Sequence, residues 1–401
     1  MKTSFLTGIA LLVAGGAAVT AIAQPRPGGG TVTYWMSAET TSGLAASGAN
    51  PASRGSMLGA LAGRAPRADA FVHNLRLDLG SPRRAAGPPA ADHFIPAGLN
   101  AGPSLPLVSP APAAPVGRPS QMPAHPGNPQ GRILIYWGCG ERARPGQPFE
   151  IDLSRLARGQ APPAMANLPF RPMTPPSAAT AATYGEWPNS RGRTAIPASG
   201  SLVGAHSVRG NYSPEINFTL APGQDFLPPI VLTSNTRGPS GAVPVAWRAV
   251  DGARGYFLMA VGAREDNTMV MWSSSEVQFN QVGAMDYLAP DEIARLLQQR
   301  VLLQPNVTQC TVPAEVAGSV QAASLMMTAF GPEANFSHPA PPPRPPRGWA
   351  PEWTVKLRTR SAYMGMLGMD MAAMMRGESQ DERQQERPRR RRGLLDRVIG
   401  Q

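Results

Sequence analysis

The sequence predicts a mainly β protein with two antiparallel β-sandwich-like domains and long Pro/Gly-rich loops. Three observations predict it. Short runs alternate apolar and polar residues at period two, the periodicity of half-buried strands. The 45 Pro and 42 Gly of this 401-residue chain mark long stretches between those runs that cannot fold regularly. Only one stretch, 289–303, carries a clear amphipathic helical pattern.

The chain opens with a signal peptide pattern over 1–23. Met1-Lys2 is a short positive start, residues 5–19 are apolar or small, and Ala21-Ile22-Ala23 is a small-x-small cleavage pattern. Cleavage is expected near Ala23, giving a periplasmic or extracellular mature protein. No later run reaches the ~18 apolar residues of a membrane span.

The first β-rich domain is expected over 24–225. "TVTYWMS" and "FVHNLRLDL" alternate and read as strands. The Ala/Gly/Ser-rich region at about 40–66 and the Pro-dense region at about 81–131 read as irregular insertions, because such compositions bury too little apolar surface to offset their ordering entropy. "RILIYWGC" is the most strand-like run of this half. "PFEIDL", residues 201–208 and "EINFTL" follow as strands, with "GEWPNSRGRT" at 185–194 read as turn.

The second β domain is expected over 226–362. "VPVAWRAVDGARGYFLMAVGA" reads strand, turn, strand, with Asp251-Gly252 at the turn. Trp247, Val250, Gly252-Ala253, Gly255-Tyr256 and Leu258 together resemble a fibronectin type III-like module over roughly 228–276. That resemblance implies a two-sheet sandwich used for binding, spacing or assembly, and carries over no functional residue. The helix at 289–303 departs from it. Pro290, Asp291 and Glu292 suit its first turn, and Ile293, Leu296, Leu297 and Val301 form its apolar stripe. Residues 335–351 read as a proline spacer and "EWTVKLRT" as the last strand. A Met-rich segment and an Arg-rich disordered tail fill 363–401.

Two cysteines, Cys139 and Cys310, are expected to pair in an oxidising compartment. The net charge is +11 and almost all of its cations are Arg. They are scattered outside the tail, which argues against nucleic acid as a partner.

A Trp followed by Ser or Cys at +2 and Glu at +4 recurs three times, as Trp35/Ser37/Glu39, Trp137/Cys139/Glu141 and Trp272/Ser274/Glu276. On a strand such residues share one face. Two readings follow: a recurring strand design with Trp in the core, or a glycan platform with Trp stacking on sugars and Glu accepting hydroxyl bonds. Met364, Met366, Met369, Met371, Met374 and Met375 offer thioethers, which suit Cu(I), or a pliable docking segment. The four arginines at 389–392, Arg389 to Arg392, offer a contact for anionic lipid. No His-Glu-x-x-His, Gly-x-Ser-x-Gly or phosphate-binding glycine loop is present. The functional expectation is an exported, non-enzymatic cell-envelope protein that binds a protein or glycan. Its alternatives are a periplasmic Cu(I) binder and a carbohydrate-binding protein.

Overall fold

The computed structural model describes residues 30–47, 70–110, 131–160, 171–192, 194–279 and 286–369. The signal peptide pattern at 1–23, Met371, Met374, Met375 and Arg389 to Arg392 lie outside these residues.

The chain is mainly β, built on one wide mixed sheet. Its nine strands run in the order β6 (Phe149–Asp152), β5 (Arg132–Trp137), β13 (Thr268–Ser273), β12 (Gly255–Ala263), β15 (Ala323–His338), β16 (Trp353–Met366), β1 (Val32–Gly43), β2 (Phe71–Ser81) and β7 (Thr183–Trp187). Strands from both sides of position 226 therefore share this sheet. Two junctions are parallel, β1 with β16 and β5 with β13. The remaining pairs in the sheet are antiparallel.

Two smaller sheets cover one face of it. The first is β4 (Ser104–Leu107), β3 (Ala91–Phe94), β8 (Gly204–Gly210) and β9 (Ile216–Leu220). It shares a core with β1, β2 and β16, where Tyr34, Met36, Leu77, Leu79, Val355 and Leu357 alternate inward. The second is β10 (Leu232–Asn235), β11 (Val243–Trp247) and β14 (Gln309–Val312). It shares a core with β12, β13 and β15, around Trp247, Tyr256, Leu258, Val270 and Trp272. Each core is sandwich-like, as alternating strands require.

One device keeps both cores on the same side of β15. The register against β16 slips between Phe330 and Glu333. Leu325, Met327 and Ala329 face one core before the bulge, and Ala334 faces the other after it. Without the extra residue the period-two alternation would turn the second stretch outward.

The opposite face of the wide sheet is covered in part by α2 (Pro290–Gln298), the helix expected at 289–303. Ile293 and Leu296 pack on Phe257, Met259 and Phe330. Among the described residues two other short helices, α1 (Leu153–Ala157) and α3 (Ala314–Gly318), and two 3₁₀ turns accompany it.

Several segments differ from expectation. The region 81–131 is not wholly irregular, because β3 and β4 lie within it. Each strand is four residues long and buries only alternate side chains, Ala91 and His93, then Leu105 and Leu107. Such runs are too short to stand out among prolines, and Pro106 is tolerated because β4 is an edge. Strand β7 occupies part of the expected turn at 185–194, with Trp187 in the core. Strands β15 and β16 run on to His338 and Met366, into the expected proline spacer and Met-rich segment. Finally, β11 and β12 do not form a hairpin. The turn at Asp251-Gly252 carries the chain from one sheet to the facing one.

Candidate functional site

Past the edge of α2 the outer face of the wide sheet changes character. Odd-numbered residues of β1 and even-numbered residues of β16 and β2 point to this face, opposite the core. The parallel register sets Trp35 beside Lys356, Ser37 beside Arg358 and Glu39 beside Arg360. On the other flank β2 sets Asp78 beside Trp35, Arg76 beside Ser37 and Asn74 beside Glu39. The result is a ladder of charges with one indole in it.

Nearly every charge in the ladder has an opposite partner. Arg360 pairs with Glu39 and reaches Asp286 at 3.5 Å. Lys356 pairs with Glu333 from β15. Arg76 bridges Asp78 at 2.9 Å and Glu186 at 3.0 Å, and the Tyr184 hydroxyl donates to Asp78 at 2.6 Å. Burial followed by the hydrogen bond to Asp78 holds the Tyr184 phenol well above its ordinary range. Burial works against the Arg360 cation, but Glu39, Tyr287 and Asp286 outweigh it and raise its pKa.

Arg358 is the exception. It is 6% exposed. Its Nε donates to Ser37 Oγ at 2.7 Å, and its Nη1 is buried without a hydrogen-bond partner among the described residues. Two aromatic rings take the place of a carboxylate. The guanidinium carbon lies 4.3 Å from the Tyr287 ring centre and 5.1 Å from that of Trp35. Ring faces are negative, so this geometry is attractive. Burial lowers the Arg358 pKa, with Tyr287, Asp286 and Asp78 opposing. Lys356 Nζ also sits 5.4 Å over Trp35, which stays half-buried.

The three Trp triplets take three different places. Trp35, Ser37 and Glu39 share the ladder face. Trp272 is 1% exposed in the second core, where its indole donates to Gly138 O at 2.9 Å. Ser274 is fully buried and Glu276 pairs with Arg144 at 2.5 Å. Trp137 is paired with Ser273, so it points to the face opposite Trp272. Glu141 is exposed, and its carbonyl accepts from Ala314 N at 3.0 Å. The first triplet lies four strand positions from the third, roughly 19 Å across the sheet at ~4.8 Å per strand. Glu39, Glu141 and Glu276 thus belong to separate surroundings.

Cys139 and Cys310 form a disulfide, with Cα atoms 5.2 Å apart. It ties the turn after β5 to β14. Gly140 N donates to Thr311 O at 2.9 Å alongside it. Among the described residues no helix is long and apolar enough to cross a membrane.

Of the expected thioether ligands, Met364 and Met366 lie in β16, and Met369 is exposed after the following turn. Among the described residues no group of three or more His, Cys, Asp or Glu could hold a metal ion.

Inside the first core lies a polar chain whose members stand far apart in the sequence. The His206 Nε2–H donates to Leu202 O at 2.7 Å, since a carbonyl only accepts. Nδ1 of the neutral His206 ring then accepts from His93 Nε2 at 2.9 Å, and His93 Nδ1 accepts from the Tyr34 hydroxyl at 2.8 Å. Burial, then the neighbouring His206, pushes the His93 pKa well below its ordinary value. Burial also lowers that of His206 and raises that of Tyr34. Each of the three groups is satisfied in its neutral form, which suits a structural chain in a dry core.

No family model, curated protein or solved structure matches this chain.

Proposed function

We propose that the chain is an exported, non-enzymatic cell-envelope protein that acts by binding, and that its binding surface is the ladder face around Trp35, Lys356 and Arg360. The observation that carries this reading is the engagement of its carboxylates. Glu39, Asp78, Glu186 and Glu333 are each already held by a cation. A general acid or base needs a carboxylate free to exchange protons with substrate, whereas a recognition surface gains from side chains fixed in advance. The signal peptide pattern and the disulfide support an exported location, periplasmic or extracellular.

Trp35 suits the stacking of a sugar ring, with Lys356 beside it, and Arg76 one step along beside Ser37, for hydroxyl or acid groups. A glycan array probed with the mature protein tests this. Bound glycans are expected to lose about tenfold or more of their signal in Trp35→Ala, as for a central aromatic contact. Trp137→Ala, on a distant strand, is expected to leave them unchanged. Binding that ignores Trp35→Ala would remove this surface.

A further inference from the structure

The small sheet of β4, β3, β8 and β9 packs on the core face of β1, β2 and β16, so its own outer surface lies on the side of the molecule opposite the ladder. Its strands bury His93, His206, Val208, Ile216 and Phe218, and the residues between them point outward. Among those outward residues is Phe94, 39% exposed.

A groove of 340 Å³ is cut into this surface. Its cause is a strand that stops. Strand β3 ends at Phe94, paired with Ser207, and the chain leaves the sheet for the 3₁₀ turn Ala97–Leu99. Ala205, two residues before Ser207 on β8, has no β3 residue paired with it and adds only a methyl group. Phe94 and Ile95 wall the dip over Ala205 on one side, and Thr219 and Asn217 of β9 wall it on the other.

Phe94 offers this groove one face of its ring. The Arg209 guanidinium carbon lies 5.1 Å from the ring centre. Arg209 is in register with Asp92, two residues back along β3, so it covers the face turned away from Ala205. Glu215 pairs with Arg209 at 3.0 Å and accepts from Ser207 Oγ at 3.4 Å. The Asn217 amide, followed by Arg209, holds the Glu215 carboxyl below its ordinary value. Ring and polar rim are thus positioned in advance, which favours binding. Among the described residues no Asp, Glu, Lys or Arg lines the groove.

We propose that this groove binds a neutral sugar residue, stacked on Phe94 over Ala205, with its hydroxyls bonded to Thr219 and Asn217. A pyranose has an apolar face of C–H groups and a rim of hydroxyls. Phe94 matches the face, and a threonine hydroxyl and an amide can each donate to and accept from the rim. A charged group would find no counter-charge in the groove. The volume lies at the small end of ligand pockets, the scale of a single ring. This site is separate from the ladder and does not depend on the ladder acting as a binding surface.

The test is calorimetric titration of the full mature chain with chitohexaose, cellohexaose and laminarihexaose. It is run in a Trp35→Ala background, so that ligand held on the ladder face does not contribute. At least one of these neutral hexaoses is expected to fill one saturable site. Adding Phe94→Ala is expected to weaken it about tenfold or more, as for a central aromatic contact. Adding Ala205→Ile, a good strand former whose side chain fills the groove, is expected to abolish it. Both positions are exposed, so thermal melts are expected to stay unchanged. No binding of any of the three hexaoses in the Trp35→Ala background would overturn the proposal. So would binding that survives both Phe94→Ala and Ala205→Ile. The ladder reading is judged separately, by comparing the wild type with Trp35→Ala.

Discussion

Replacing both cysteines, Cys139→Ala with Cys310→Ala, isolates what the disulfide contributes. The bond joins positions 171 residues apart. In the native fold the turn after β5 is also held to β14 by Gly140 N to Thr311 O and to the start of α3 by Ala314 N to Glu141 O. The folded state should therefore keep its geometry without the bond, and the loss falls on the unfolded chain. For a closed loop of that length the chain-entropy relation gives about 5 kcal/mol at 25 °C. An unfolding entropy of ~2.1 cal/mol/K per residue, over the ~280 described residues, turns this into a fall in melting temperature of roughly 9 °C. Calorimetry of the oxidised wild type and the double variant reads the shift, and circular dichroism checks that the native spectrum is kept. Non-reducing peptide mapping should recover Cys139 and Cys310 in one linked peptide pair. A shift below about 2 °C with an unchanged spectrum would refute the entropic reasoning.

Two further predictions concern charge. His93 and His206 are buried neutral with lowered pKa values, so below about pH 6.5 the unfolded chain takes up protons that the native chain does not. Their contribution is fully present above that pH and is lost as pH falls, by up to ~1.4 kcal/mol per pH unit for each histidine. Urea midpoints at pH 7.5 and pH 5.5 should differ accordingly, and equal midpoints would exclude the neutral chain. On the ladder face, Arg358→Met should change stability by less than ~1 kcal/mol, because the guanidinium is desolvated and has no carboxylate to leave behind. Glu39→Gln should cost more, about 1–2 kcal/mol, since it takes the nearest carboxylate from the partly buried Arg360 cation and leaves the longer contact to Asp286. Denaturant unfolding of the two variants side by side reads the order, and the reverse order would show that Arg358 is the paired cation.

The local elements were legible in the sequence wherever period two was sustained. "TVTYWMS", "FVHNLRLDL" and "EWTVKLRT" were readable as strands because one face of each is buried, so apolar side chains must alternate. The amphipathic stripe of α2 was readable for the same reason at its own period. The cysteine pair could be expected from its number and from the signal peptide pattern ahead of it. Strands β3, β4 and β7 were not visible, because a four- or five-residue run among prolines carries too few alternations to register.

What the tertiary structure alone decided is which strands are neighbours. Alternation fixes which residues of a strand share a face, but not what lies across the gap. Pairing β1 with β16 joins residues 321 apart, and it is this junction that puts Glu39 against Arg360 and Arg358 between Trp35 and Tyr287. The same principle sent Trp272 inward while Trp35 faces out. The sequence by itself determined a disulfide-bonded chain of alternating strands and one helix. Long-range register, set by burying every apolar face at once, decided the ladder and the place of each tryptophan.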